Sequence, residues 1–242
     1  MKTKRIHLRE TISTNNWLHS YMPTEGEQLT VCTTDYQTAG RGCGSNTWES
    51  ERGKNLLFSI LMHPVEIAAR QQFAISEMVA LALHQTVAAW VEGVSIKWPN
   101  DIYVGDRKIA GILIENRLNG SMVKDCIVGI GLNVNQTHFI SDAPNPVSLK
   151  QLLGHEVERE HVLQKFLAIL SELIPSQPLT DIHEKYLSRL YRREGFFRFS
   201  DRKGTFEARI SGVEPDGHLL LEDRMGTLRT YAFKEVAFLQ DL

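Results

Sequence analysis

A lysine, an amide and a carboxylate stand within five residues in Lys97-Trp98-Pro99-Asn100-Asp101, and a second lysine, Lys108, follows shortly after. Pro99 supplies no backbone donor, so a regular β-ladder must break there. Polar side chains gathered where a sheet loses its ladder are a common way to build a ligand site, although the same residues also suit an ordinary hairpin with solvated charges. A second group lies upstream in Gln37-Thr38-Ala39-Gly40-Arg41-Gly42-Cys43-Gly44. Its glycines form a flexible loop that can come close to a ligand, and the Arg41 guanidinium is a fork suited to carboxylate or phosphate. The loop is not of the Walker type, because the G-K-[ST] ending is missing. It also fails G-x-G-x-x-G, because Ser45 stands where the third glycine should fall. Trp48 at its far end either covers an aromatic ring or fills the core. Ser13, Thr14 and Asn15 either cap a helix start or offer donors and acceptors to a small polar ligand.

The elements that must position these groups follow from patterning. Two apolar arms, Ile102 to Val104 and Ile109 to Ile114, flank Gly105-Asp106 and predict a β-hairpin. Strands are expected at Ile6 to Leu8, Leu29 to Tyr36, Lys54 to Met62 (ended by His63-Pro64) and Met122 to Ile130. The run Glu66 to Trp90, free of Gly and Pro and apolar almost all round, predicts a central helix stopped by Gly93. Gly129 and Gly131 alternate in Gly129-Ile130-Gly131-Leu132-Asn133-Val134, leaving one strand face bare unless something packs there. After a loop at Ser141 to Pro146 come helices at Val147 to Leu153, Glu158 to Leu173 and Leu179 to Arg192, the last two separated by Pro175-Ser176-Gln177-Pro178. From Gly195 onward, short strands punctuated by turns suggest a small β-barrel, which divides the chain into domains at 1–193 and 194–242.

The totals bound the function. A chain of 242 residues with 42% hydrophobic and 23% charged residues is an ordinary globular composition. A formal net charge of -2 gives no basic footprint for non-specific nucleic-acid binding. The longest strictly apolar run, Met78 to Leu83, is far too short to cross a bilayer, and the basic N-terminus lacks the apolar stretch of a secretory signal. Three scattered cysteines without C-x-x-C spacing argue against a disulfide framework or zinc site and fit a reducing cytoplasm.

Taken together, three segments closely resemble the biotin protein ligase family, in its order and at its approximate separations. They are Gln37-Thr38-Ala39-Gly40-Arg41-Gly42; Lys97-Trp98-Pro99-Asn100-Asp101 with Arg107-Lys108-Ile109-Ala110-Gly111-Ile112-Leu113; and Gly129 to Val134. The resemblance implies an α+β fold. A central mixed β-sheet would carry helices on one side, as in class II aminoacyl-tRNA synthetases, and a small SH3-like β-barrel would follow. It implies that biotin is activated with ATP as biotinyl-5′-AMP and then passed to a lysine of a biotin carboxyl carrier domain. In this reading Lys108 bonds the biotin carboxylate and the α-phosphate, and Arg41 holds both from the loop; these two are the catalytic candidates. Asp101, with Asn100 beside it, would serve Mg²⁺ and the nucleotide, Asn133 would reach the phosphates, and Trp48 would pack on adenine. Ser13, Thr14, Asn15 and Gln37 match the biotin-head contacts, Gly40 and Gly42 the loop, and Gly111, Leu113 and Gly129 the wall beside biotin, although Leu113 and Gly129 also suit a plain core. The resemblance allows a homodimer.

Two departures and one geometric demand accompany the resemblance. Family members often follow Gly-Arg-Gly with a second arginine or a glutamine, whereas Cys43-Gly44-Ser45-Asn46 lacks that cation and moves the glycine by one place, implying weaker adenylate retention. Only twelve residues precede Ser13, too few for the DNA-binding domain of the bifunctional members, so neither a repressor role nor a DNA partner is expected. A lipoate–protein ligase of the same fold and an inactive biotin-binding protein are the alternatives. Finally, strict alternation puts Lys108 on the face opposite Gly111 and Leu113, so a bulge must re-aim it if all three meet one ligand.

Overall fold

The computed structural model describes residues 2–62, 67–141, 145–176 and 178–239. The strand end expected at His63-Pro64, the helix start at Glu66, the middle of the loop expected over 141–146 and the break at Gln177 lie outside the described residues. In chain order the elements are β1 (Thr3–Leu8), α1 (Thr14–His19), β2 (Leu29–Thr34), β3 (Leu56–Met62), α2 (Phe73–Ala88), β4 (Val94–Lys97), β5 (Asp101–Val104), β6 (Arg107–Asn119) and β7 (Met122–Leu132). There follow α3 (Leu149–Leu153), α4 (Arg159–Ser176), α5 (Leu179–Ser188), β8 (Phe197–Asp201), β9 (Gly204–Val213), β10 (Leu219–Asp223), β11 (Leu228–Tyr231) and β12 (Ala237–Phe238).

The larger sheet has seven strands in the order β1-β2-β3-β7-β6-β5-β4. It is mixed: β1 and β2 run parallel, and the other neighbours are antiparallel. Period-2 alternation sorts its residues onto two unlike faces. Phe58, Ile60, Ala110, Ile112, Val128, Ile130 and Leu132 belong to the main core, together with Val79, Leu83, Phe166 and Ile182 of the helices. Each large apolar side chain buried there contributes about 1.5–3 kcal/mol. On the other face the intervening positions are Ser59, Leu61, Gly111, Leu113, Glu115, Ile127, Gly129 and Gly131. There the short α1 packs Leu18 on Leu61 and Ile127, leaving the glycine end of the face uncovered by helix.

Helix α2 is shorter than its apolar run, because a 3₁₀ turn at Ala69–Gln71 precedes it. It is buried nearly all round between the sheet and α4 and α5. Helix α5 stops at Ser188 rather than Arg192, since Ile96 and Tyr191 take the backbone of the next residues into a bridge with β4. The five C-terminal strands form a second, antiparallel sheet in the order β11-β10-β9-β8-β12. Its apolar side, including Phe199, Ile210, Leu219 and Leu221, is continuous with the main core. Gly217 at the β9–β10 turn adopts φ 96° and approaches Phe73, and its carbonyl accepts a 2.9 Å hydrogen bond from Trp98 Nε1. The second sheet is thereby fixed against the Lys97–Asp101 stretch.

Candidate active site

The expected hairpin is present, with Gly105 at φ 56° in the turn between paired Val104 and Arg107. Its ladder slips between Ile102 and Tyr103: Ile102 faces Ala110, but Tyr103 faces Lys108, leaving Ile109 as an extra residue. Ile109 and Ala110 are both buried in the main core. This bulge turns Lys108 onto the face of Gly111 and Leu113, as the geometric demand required. Its backbone is held in place by neighbours, because Asn133 N donates to Ile109 O, while Lys108 bonds Asn145 O and Val147 N. The Lys108 ammonium consequently lies 2.6 Å from Asp101 Oδ1, beside the break at Pro99.

Around this pair lies a cavity of about 830 Å³, of the size that encloses a drug-sized or larger ligand. Ser13, Thr14, Asn15, Gln37, Arg41, Gly42, Trp48, Asn100, Asp101, Lys108, Gly111, Leu113, Gly129 and Asn133 all line it. Gly40 does not. It is buried under the loop, where a side chain would meet Trp48 O at 2.5 Å, so its smallness lets the loop close.

Polar groups converge at one end. Ser13 begins α1, yet its hydroxyl makes no capping bond. Thr14 donates its backbone N–H to Gln37 Oε1 at 2.9 Å, and its hydroxyl lies 2.6 Å from Ser59 Oγ. Ser59 donates to Asn15 Oδ1 at 2.5 Å, while Asn15 Nδ2 donates to Glu115 Oε2 at 2.7 Å. The Asn15 side chain sits where a Gly129 side chain would be, with Cγ 2.9 Å from that position. Glu115 also accepts from Arg41 Nη2 at 2.9 Å and contacts His19 Nε2 at 3.2 Å. Burial pushes the Glu115 carboxyl up, but the bonds from Asn15, Arg41 and His19 outweigh it and hold it below the usual range.

The other end is aromatic and charged. The Trp48 indole lies across the bare strand face, its Cζ3 2.9 Å from the Cβ position of Gly111 and its Cδ2 2.7 Å from that of Gly131. Lys108 Nζ is 5.7 Å from the ring centroid, and the indole Nε1 is buried without a partner. Asn133, 3% exposed, also has an unpartnered Oδ1. Asn100 donates its amide to Ile112 O at 2.7 Å, bracing the broken ladder. Lys97 donates to Tyr103 Oη at 3.0 Å; burial depresses its pKa, Asp101 opposes this, and Lys108 and Arg192 add to it. Arg41 is not gathered with Lys108 and Asp101. It lies on Glu115 and Asn16, across the loop hairpin in which Arg41 bridges Thr47.

Sequence reasoning missed Ser59, Glu115, Gly131 as the seat of Trp48, and the C-terminal residues Phe233 and Lys234, which line the same cavity. Ser59 had a signal: it is the polar residue in the otherwise apolar Leu56–Met62. Lys234 had none.

A sequence profile of the Biotin/lipoate A/B protein ligase family matches residues 8–133. The chain belongs to that family. The match runs from Leu8, the last residue of β1, to just past the glycine-bearing strand β7, and so includes segments that line both ends of the cavity. Beyond the profile, the chain is 30% identical over 233 residues to the bifunctional ligase/repressor BirA of Bacillus subtilis, spanning 91% of this chain and 70% of that protein. It is 28% identical over 204 residues to the biotin–[acetyl-CoA-carboxylase] ligase of Paracoccus denitrificans, spanning 78% of this chain and 82% of that one. Its backbone is similar to that of the biotin protein ligase from Aquifex aeolicus in complex with biotin and ATP, with a TM-score of 0.79 and 25% identity. That similarity covers 98% of this chain and 99% of the other, so it includes the second sheet.

Proposed function

We propose that this protein is an ATP-dependent biotin protein ligase. The observation that carries the reading is the Ile109 bulge, which aims Lys108 between a hydrogen-bonding pocket and an aromatic, charged one. A ureido head needs both donors and acceptors, and Ser13, Thr14, Asn15 and Gln37 supply them beside Gly129. Leu113 and Gly111 form the wall along which biotin's tail would run toward Lys108. At the far end Trp48 would pack on adenine, and Asn133, which lines the same cavity, would reach the phosphates.

A carboxylate is a poor electrophile, and bringing it to a polyphosphate opposes like charges. Lys108, placed between them, would stabilise both as the carboxylate oxygen bonds the α-phosphorus and pyrophosphate leaves with the α–β bridging oxygen. Arg41 would leave Glu115 to join the phosphate as the loop closes and excludes water. In the second step the neutral amine of an acceptor lysine attacks the carbonyl, AMP leaves, and the amine loses its proton. The acceptor would be a biotin carboxyl carrier domain of a carboxylase. Mg²⁺ would be held by Asp101 and the substrate phosphates, the usual arrangement of one carboxylate with phosphate oxygens, and Asn100 would support it. When bound, the ion neutralises phosphate charge.

We further read 1–193 as the catalytic domain and 194–242 as an SH3-like domain, in line with the start of β8 at Phe197. Cytoplasmic residence and a homodimer fit this reading. The net charge of -2 offers no general attraction for DNA, so no DNA partner is assigned, and no helix among the described residues is long and apolar enough to cross a membrane. Biotin-dependent exchange of labelled pyrophosphate into ATP tests the function directly. Exchange with biotin and transfer to a carrier domain are expected; exchange with lipoate alone, or with neither acid, rejects the proposal.

A further inference from the structure

The loop that lacks its second cation has a lysine brought to it from the other end of the chain. Lys234 lies in the turn between β11 and β12, where Glu235 N bonds Ala232 O. Its ammonium reaches Gly44: a β-carbon there would collide with Lys234 Nζ and stand 3.3 Å from its Cε. The displaced glycine and the lysine therefore fit one another. Gly44 adopts φ 69° in the tip of the loop hairpin and leaves the space that the ammonium fills. The charge is felt by the neighbouring Cys43, whose thiol burial pushes up while Lys234 pulls it down.

Lys234 is itself held at φ 70°, a left-handed conformation that glycine or asparagine adopts readily and lysine does not. Strain of this kind persists where the surroundings over-determine it and clusters at functional sites. Among the described residues Lys234 forms no salt bridge with a carboxylate, and its ammonium lies 5.8 Å from the Phe233 ring centroid. It lines the same cavity as Lys108, Asp101 and Trp48.

We infer that Lys234, carried by the C-terminal sheet, is a phosphate-binding residue of the nucleotide site and stands in for the cation missing at Cys43. This inference rests on the ligase reading. It reverses the expectation of weak adenylate retention, because the second cation is supplied from the second sheet across the loop instead of by the loop itself.

The test compares Lys234→Gly, Lys234→Met and Lys234→Arg in biotin-dependent pyrophosphate exchange and in release of biotinyl-adenylate without acceptor. Glycine relieves the backbone strain and methionine keeps the apolar stem, so loss of structure in one is checked by the other. Both are expected to raise the KM for ATP about tenfold and speed adenylate release, with the KM for biotin unchanged; one partly exposed charge-assisted contact carries about that much. Lys234→Arg keeps the wild-type KM. In the Lys234→Gly background, Cys43→Arg restores it. An unchanged KM for ATP in both neutral variants, an equal rise in the KM for biotin, or an arginine variant as impaired as methionine overturns the inference. A wild-type chain without any biotin-dependent exchange overturns the ligase reading instead, so the two failures are distinct.

Discussion

The ammonium of Lys108 lies 2.6 Å from the carboxylate of Asp101 because Ile109 is bulged out of the ladder between them. Without substrates the two charges neutralise one another, and a carboxylate–phosphate pair entering the cavity would compete for the lysine. Replacing Lys108 with alanine is therefore expected to lower biotin-dependent pyrophosphate exchange by roughly 10²–10³-fold, the range for removing one preorganised group that meets developing charge. Asp101→Asn should instead act mainly on the dependence of rate on Mg²⁺ concentration. Exchange at the wild-type rate in Lys108→Ala would remove this residue from the chemistry.

The two bare positions of β7 separate the halves of the cavity. A methyl group at Gly129 would collide with the Asn15 amide, whereas one at Gly131 would collide with the Trp48 indole. Gly129→Ala should raise the KM for biotin and Gly131→Ala the KM for ATP, each by about tenfold, the consequence of roughly 1.4 kcal/mol of lost binding. Steady-state titration of each substrate decides this. Variants with interchanged effects would reverse the assignment of the two ends.

Glu115 latches the loop through Arg41, and its carboxyl is held below its ordinary value of 4.5. For a carboxyl whose folded pKa is depressed, the stabilisation is fully present above the ordinary value and is lost as pH falls through the depressed one. Amide hydrogen exchange over 40–48, corrected for intrinsic rates, should accelerate as pH drops below 4.5 in the wild type. Glu115→Gln should abolish this pH dependence. At neutral pH Glu115→Ala should speed exchange by about fivefold or less, as expected for a pair this exposed to solvent.

Trp98 joins the Lys97–Asp101 stretch to the second sheet through its bond to Gly217 O. Trp98→Phe should cost about 1 kcal/mol in urea unfolding, the worth of one partly buried hydrogen bond. Gly217→Ala should cost more, because its φ of 96° disfavours any side chain and a β-carbon would stand 2.6 Å from Phe73 Cδ2. Equal stability of all three proteins would mean that the contact is incidental to docking of the sheet.

Local chemistry made much of the site legible. Glycine, proline and polar residues at fixed offsets located the loop, the ladder break and the hairpin, and the conflict between Lys108 and Gly111 on a strict alternation announced a bulge. Those features depend on backbone rules that act over a few residues. The alternation of Gly129 and Gly131 likewise demanded something packed against them, without naming Asn15 and Trp48.

The sequence by itself determined which segments line the cavity and that one strand must be irregular. Tertiary structure alone decided which distant groups meet there. Ser59 and Asn15 are 44 positions apart, Arg41 and Glu115 74, and their contacts exist only because α1, the loop and β6 share one face of the sheet. Lys234 reaches Gly44 from a separate sheet whose placement is set by the shared apolar core and the Trp98–Gly217 bond. Hydrophobic burial is non-directional, so it draws the two sheets together without specifying in the local sequence which side chain will arrive beside which loop.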